Sequence, residues 1–263
     1  MGERIVVTNE AGVAHATLSR GDKMNALDDA MIDALVDTGE RLDEDKSVRA
    51  VVLSGEGRAF CAGLDMSNFQ KMSAGESDMN LAERTHGTSN KVQRMATIWR
   101  DIRPPVIAAV HGAAYGGGLQ IMMGADIRIV HPEAKLSIME VKWGLVPDLG
   151  ASVLLPFMVR DDIARELTYT GRVFSGEEAQ AYGFATHVSE TPLEDALKLA
   201  GEIAGRSPDA VQASKRIFNA MSEMSPADRL MLESRLQEGI LGLPNQIEAV
   251  MSAFEKRAGN FKD

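Results

Sequence analysis

The chain has 263 residues, 44% hydrophobic and 25% charged, with a formal charge of -10, the composition of a folded globule with one large domain or one domain plus an appendage. An acidic surface repels phosphate backbones and anionic lipid, which excludes nucleic acid and membrane surfaces as expected partners. The single cysteine, Cys61, cannot form an intramolecular disulfide, no cationic stretch leads into an apolar core at the start, and no apolar run reaches the roughly 18 residues that span a bilayer, so the chain reads as cytoplasmic.

Residues 4–8 and 13–18 are β-rich runs around Asn9-Glu10-Ala11-Gly12, which predicts an opening hairpin. Over 27–42 the period changes: Leu27, Met31, Leu35 and Leu42 lie one or two helical turns apart, and Asp28-Asp29 suit the positive end of a helix dipole. Residues 48–54 and 106–110 read as buried strands, the first ended by Gly55 and Gly57, the second preceded by Pro104-Pro105. Residues 81–100 are predicted helical, and the polar stretch 73–80 before them reads as mobile. Strands alternating with helices predict an α/β core over residues 1–190. Residues 191–263 read as a helical region with amphipathic helices over 193–204, 208–221, 226–240 and 245–258, prolines standing near the helix starts.

The histidines are scattered and have no companion cysteines, so no metal site is expected; a Walker-type phosphate loop and a nucleophile elbow are also missing from the sequence. Two glycine-centred segments remain, each joining a strand to a helix: GRAFCAGLD (57–65) and HGAAYGGGLQ (111–120). Glycine in such a turn lets the backbone approach a ligand and aims unpaired amide hydrogens at it, which suits an oxyanion. Two such turns can converge on one oxygen.

RGDKMNAL (20–27), GRAFCAGLDM (57–66), PVIAAVHGAAYGGGLQIMMGAD (105–126), LSIMEVKWGLVPDLGASVLLP (136–156), residues 170–188 and SAFEKRAGNF (252–261) follow one another along the chain. Together they resemble the crotonase, or enoyl-CoA hydratase/isomerase, superfamily. The resemblance implies a repeated ββα spiral core, a carboxy-terminal helical region that packs homotrimers or hexamers, and chemistry on an acyl-coenzyme A thioester, with coenzyme A arriving as part of the substrate and no separate cofactor. It places the oxyanion hole at the backbone N–H groups of Leu64 and Gly117, with Gly116 and Met66 beside the acyl group. Coenzyme A would lie against Lys23, Met24, Ala26, the backbone of Ala62 and Asp65, completed by Phe254 and Lys256. Met66, Met72, Met122 and Met123 fall where an acyl pocket needs flexible apolar walls.

The acid–base positions separate the subfamilies. Hydratases of this kind use two glutamates to hold, deprotonate and deliver water, one placed two residues after the glycine triplet and one in the next segment. Here these positions are Gln120 and Glu140. An amide holds water but takes no proton at neutral pH, so Gln120, on an amphipathic helix expected to begin near Gly118, reads as a pocket wall or a water ligand. Asp148 follows Glu140 by eight residues, and MEVKWGLVPDLG resembles the segment with which dienoyl-CoA isomerases shuttle a proton between distant carbons. The same aspartate, after Pro147, also suits a helix N-cap. Dehalogenases of the superfamily share this aspartate but carry an upstream histidine where this chain has Gln93. Three readings stay open: an isomerase using Glu140 and Asp148, an enoyl-CoA hydratase in which Gln120 positions water, and a noncatalytic acyl-CoA-binding protein. Cys61 reads as a buried small hydrophobe and His111 as a structural histidine.

Overall fold

The computed structural model describes residues 3–74, 80–222 and 224–263. Its strands are β1 (Ile5–Glu10), β2 (Val13–Leu18), β3 (Ala50–Gly55), β4 (Val106–Val110), β5 (Ala113–Tyr115), β6 (Ile127–Val130), β7 (Lys135–Ser137), β8 (Phe174–Ser175) and β9 (His187–Val188). The helices are α1 (Asp29–Glu44), α2 (Met66–Ala74), α3 (Lys91–Asp101), α4 (Gly117–Gly124), α5 (Ala151–Leu154), α6 (Asp161–Thr170), α7 (Gly176–Tyr182), α8 (Pro192–Ala204), α9 (Pro208–Asn219), α10 (Pro226–Glu238) and α11 (Pro244–Glu255). The larger sheet runs β1-β2-β3-β4-β6-β9, antiparallel only in the opening hairpin, where Ile5 faces Leu18 and Glu10 faces Val13.

The unbroken apolar runs of β3 and β4 follow from a sheet buried on both faces. Side chains alternate across a strand. Val51, Leu53, Val106, Ala108 and Val110 therefore enter the main core with residues of α1, α3 and α4. Ala50, Val52, Ile107 and Ala109 point the other way, onto Ala196 and Ala200 of α8. The small residues on α8 let that helix close directly over the sheet. At the entry to α1, Asp28 accepts from the Met31 amide at 2.9 Å and pairs with Arg4 at 2.5 Å, so the helix start is tied to the hairpin.

Two expectations need correction. Helix α3 starts at Lys91, ten residues later than the apolar spacing suggests, because Asn90 and Gln93 form a reciprocal capping box. Residues 81–90 are turns, with a bridge between His86 and Ser89 around the positive φ of Gly87. Helix α4, expected to be amphipathic, is buried at every position. The stretch read as mobile lies over 75–79 outside the described residues.

Beyond α8, helix α9 is pinned by Lys215, whose Nζ donates to the carbonyls of Trp99 and Pro104 at 3.0 Å and pairs with Asp126 at 2.8 Å. Helix α10 has no buried residue, and Phe218, Leu230, Met231, Ile247 and Phe254 are exposed along the tail. No helix among the described residues is long and apolar enough to cross a membrane.

Candidate active site

The motif segments lie side by side. Ala62 N–H donates to Met24 O at 2.9 Å, Leu27 N–H to Gly63 O at 2.8 Å, and Asp65 N–H to Leu27 O at 3.1 Å. On the other flank Cys61 N–H reaches Ala113 O at 3.0 Å, and Tyr115 N–H reaches Cys61 O at 3.1 Å. Asn25 fastens this assembly. It is buried with a left-handed φ of 54°, and its Nδ2 reaches the carbonyls of Glu56, Ala59 and Phe60 while its Oδ1 accepts from Arg20 N–H at 2.9 Å. The sequence reading passed over Asn25, although asparagine tolerates left-handed backbone better than most residues. Cys61 is buried as expected, donates its thiol to Asn25 O at 3.2 Å, and burial pushes that thiol up to about 12.

The two glycine turns converge. A Cβ on Gly63, whose φ is +85°, would lie 2.6 Å from Tyr115 O and 3.6 Å from the Gly117 nitrogen. Only glycine permits that approach. The bridge between Leu27 and Leu64 uses Gly63 O and Asp65 N–H, leaving Leu64 N–H outside it, while Gly117 opens α4 and so has no intrahelical acceptor. Neither amide donates to an acceptor among the described residues. Gly116, at φ 50° and ψ -117°, sits where a Cβ would come within 3.3 Å of Glu140 Oε1. The smaller sheet explains this proximity: β5 pairs with β7 so that Tyr115 faces Ser137, and Gly116 N–H donates to Ser137 O at 2.9 Å, three residues before Glu140.

Glu140 is buried and begins a 3-10 turn, Glu140–Trp143. Its Oε1 accepts from Gln120 Nε2 at 2.6 Å, whereas its buried Oε2 has no hydrogen-bond partner. Burial raises the proton affinity of Glu140; the nearby Asp148 adds to the rise and the Gln120 hydrogen bond opposes it. The Asp148 side chain is exposed, yet it too is pushed up by partial loss of hydration. Asp148 is not a helix cap: Gly150 occupies the N-cap of α5, and no side chain bonds there.

The remaining expected residues separate into groups. Gln120 is 1% exposed and has both ends engaged, its Oε1 accepting from Leu149 N–H at 2.9 Å and Ala151 N–H at 3.2 Å, so it is neither an open pocket wall nor a free water ligand. Lys23 is exposed beside Met24, whose φ of 50° turns the loop. The Ala62 N–H is occupied by Met24 O, which leaves its carbonyl to a ligand; both main-chain groups of Ala26 are engaged, with Lys23 O and with Arg20 and Asp28. Asp65 pairs with Arg20 at 2.6 Å and accepts from Ser67 N–H; burial alone would raise its carboxyl, but these partners bring it down to about 2. Met66 is 61% exposed, and Met122 and Met123 belong to the main core, so these methionines do not form a closed acyl wall within the chain. The Met72 side chain lies outside the described residues. Phe254, 82% exposed, and Lys256 stand at the end of α11, which packs chiefly on α9. His111 bonds Gly57 O at 2.9 Å, as a structural histidine does. The sequence reading also missed the ring contact of Phe69 with Trp143, 5.1 Å between centroids, which links α2 to the turn of Glu140.

Two unpaired amides beside two carboxyls with raised proton affinity make a site that can stabilise an enolate oxygen while a proton moves. Residues 8–263 match the enoyl-CoA hydratase/isomerase family. The chain is 29% identical to the mitochondrial Delta(3,5)-Delta(2,4)-dienoyl-CoA isomerase of Dictyostelium discoideum, over 98% of its own length and 90% of that protein. It is 32% identical to an enoyl-CoA hydratase of Mycobacterium tuberculosis, over 94% of this chain and 92% of the relative. Its fold is similar to the crystal structure of enoyl-CoA hydratase from Bacillus anthracis, with a TM-score of 0.88 at 28% identity, covering 98% of this chain and 99% of the other. The chain belongs to the enoyl-CoA hydratase/isomerase family, with the crotonase fold, and is an enzyme of that family acting on acyl-CoA.

Proposed function

We propose that the enzyme relocates double bonds in an unsaturated acyl-CoA, as a dienoyl-CoA isomerase does, with Glu140 and Asp148 as its proton-transfer pair. The observation that carries this reading is that Glu140 and Asp148 are both carboxyls with proton affinity raised by burial, while the position of the second hydratase glutamate is an amide already engaged at both ends. One carboxylate removes a proton from C2 of a 3,5-dienoyl thioester. The electron pair is delocalised onto the adjacent thioester oxygen, which Leu64 N–H and Gly117 N–H hold, and along the conjugated carbons as far as C6. The other carboxyl then protonates C6, giving the 2,4-dienoyl ester without gain or loss of atoms. Lys23, Met24 and the Ala62 carbonyl would receive coenzyme A; Ala26 and Asp65 would shape that loop, and Phe254 and Lys256 would close it from the tail. Incubation with 2-enoyl-, 3-enoyl- and 3,5-dienoyl-CoA esters tests the reading. The expected product comes from the dienoyl ester, with unchanged mass and shifted ultraviolet absorbance. A gain of water by the 2-enoyl ester without migration would make the enzyme a hydratase, and binding without turnover would make it noncatalytic.

We also propose that the exposed apolar residues of α9, α10 and α11 are covered by further copies of the chain in a trimer or hexamer, since an apolar stripe is stable only against a partner. Light scattering at micromolar concentration is expected to give a trimer or a multiple of it. A monomer would refute the assignment.

A further inference from the structure

We infer that Gln120 is the positioning residue of the proton-transfer site: one buried amide clamps Glu140 and the turn bearing Asp148 into a single arrangement, and leaves Oε2 as the working oxygen of Glu140. The inference rests on the reading of Glu140 and Asp148 as acid–base groups. Its geometry is direct. Gln120 Nε2 donates to Glu140 Oε1 at 2.6 Å, and Gln120 Oε1 accepts from Leu149 N–H and Ala151 N–H at 2.9 and 3.2 Å, the first of these in the residue after Asp148. The base of the clamp is rigid, because α4 is buried throughout. A Cβ on Gly118 would meet Cys61 O at 2.2 Å and one on Gly124 would meet Ala96 O at 2.0 Å, so the helix lies flush against its neighbours.

This arrangement requires an amide. Reversing the side chain would set its NH2 group against two backbone donors and its oxygen against a carboxylate. A glutamate at 120 would accept from Leu149 and Ala151 but repel Glu140. A methionine would fill the space and bond neither. With Oε1 taken by Gln120, the buried and unpartnered Oε2 is the oxygen of Glu140 left to exchange a proton. The Gln120 hydrogen bond also favours the ionised form of Glu140, so its loss lets burial push the carboxyl higher.

The test measures turnover of a 3,5-dienoyl-CoA between about pH 5 and 9, where the acid–base groups titrate, for the wild type, Gln120→Met and Gln120→Glu. Misplacing Glu140 is expected to lower kcat by about tenfold or more in both variants, with KM changed by less than about threefold. A base with a higher pKa ionises at higher pH, so the acid limb of the kcat profile should move upward, further for Gln120→Glu than for Gln120→Met. A residue that only supports the fold would lower the folded fraction and leave that limb in place. If Gln120→Met does not fold, Gln120→Glu still accepts from both backbone N–H groups and carries the pH measurement. Wild-type kcat with an unmoved acid limb in either variant overturns the inference. If the wild-type enzyme adds water and moves no double bond, the isomerase reading fails on its own; the limb shift, measured on hydration, still decides whether Gln120 positions Glu140.

Discussion

Glu140→Gln is expected to lower turnover for double-bond migration by at least about 100-fold, the lower end of what a positioned acid–base group contributes. The substitution is nearly isosteric, and the new Oε1 still accepts from Gln120 Nε2, so the 3-10 turn and the adjoining glycine loop keep their shape. What disappears is Oε2, buried and without a partner, the oxygen proposed to accept the proton. KM should therefore change little while kcat falls. Asp148→Asn should cost a comparable factor. Combining the two should cost far less than the product of the single losses, because a relay that has lost one end leaves the other little to do. Since burial and Asp148 both hold the Glu140 proton more tightly, the acid limb of the wild-type profile should lie above the ordinary carboxylate range. If Asp148→Asn retains full activity and Glu140→Gln has none, the paired relay is wrong and a hydratase with one working carboxyl is the better account.

The pattern of what the sequence disclosed has a physical basis. Strands β3 and β4 were legible because both faces of the sheet are covered, which leaves a continuous apolar run. The two turns were legible because their glycines answer a steric demand: Gly63 accommodates Tyr115 O and Gly116 accommodates Glu140. The clamp made by Gln120 was not, because two of its three partners are backbone N–H groups about thirty residues away, and a main-chain donor leaves no signature in residue type. Met122 and Met123 show the same limit in the core. Their apolar character was plain, but periodicity could not say whether core or acyl pocket would receive them. The late start of α3 had a local signal in Asn90 and Gln93, which the longer apolar pattern over 81–100 concealed.

Gly117→Pro is expected to reduce kcat/KM by about 100-fold or more relative to Gly117→Ala, because it deletes one of the two amide donors proposed to face the developing negative oxygen. The comparison with alanine is what isolates the donor. Either substitution adds a Cβ that would meet Leu27 Cδ1 at 2.8 Å and Leu149 Cδ1 at 2.9 Å, the movable ends of two side chains, so both variants share that steric cost. Gly117 is the first residue of α4, the helix position where proline fits best because its amide has no intrahelical role. The residue before it is Gly116, whose missing Cβ relieves much of the restriction that proline imposes on its predecessor. At the reacting oxygen the two variants differ in the N–H, which proline replaces with its ring Cδ. Leu64 N–H remains in both, so turnover should be small but measurable in the proline enzyme. If the proline and alanine variants melt at the same temperature and turn over at the same rate, Gly117 N–H does not serve the transition state, and the convergence of the two glycine turns is a packing device.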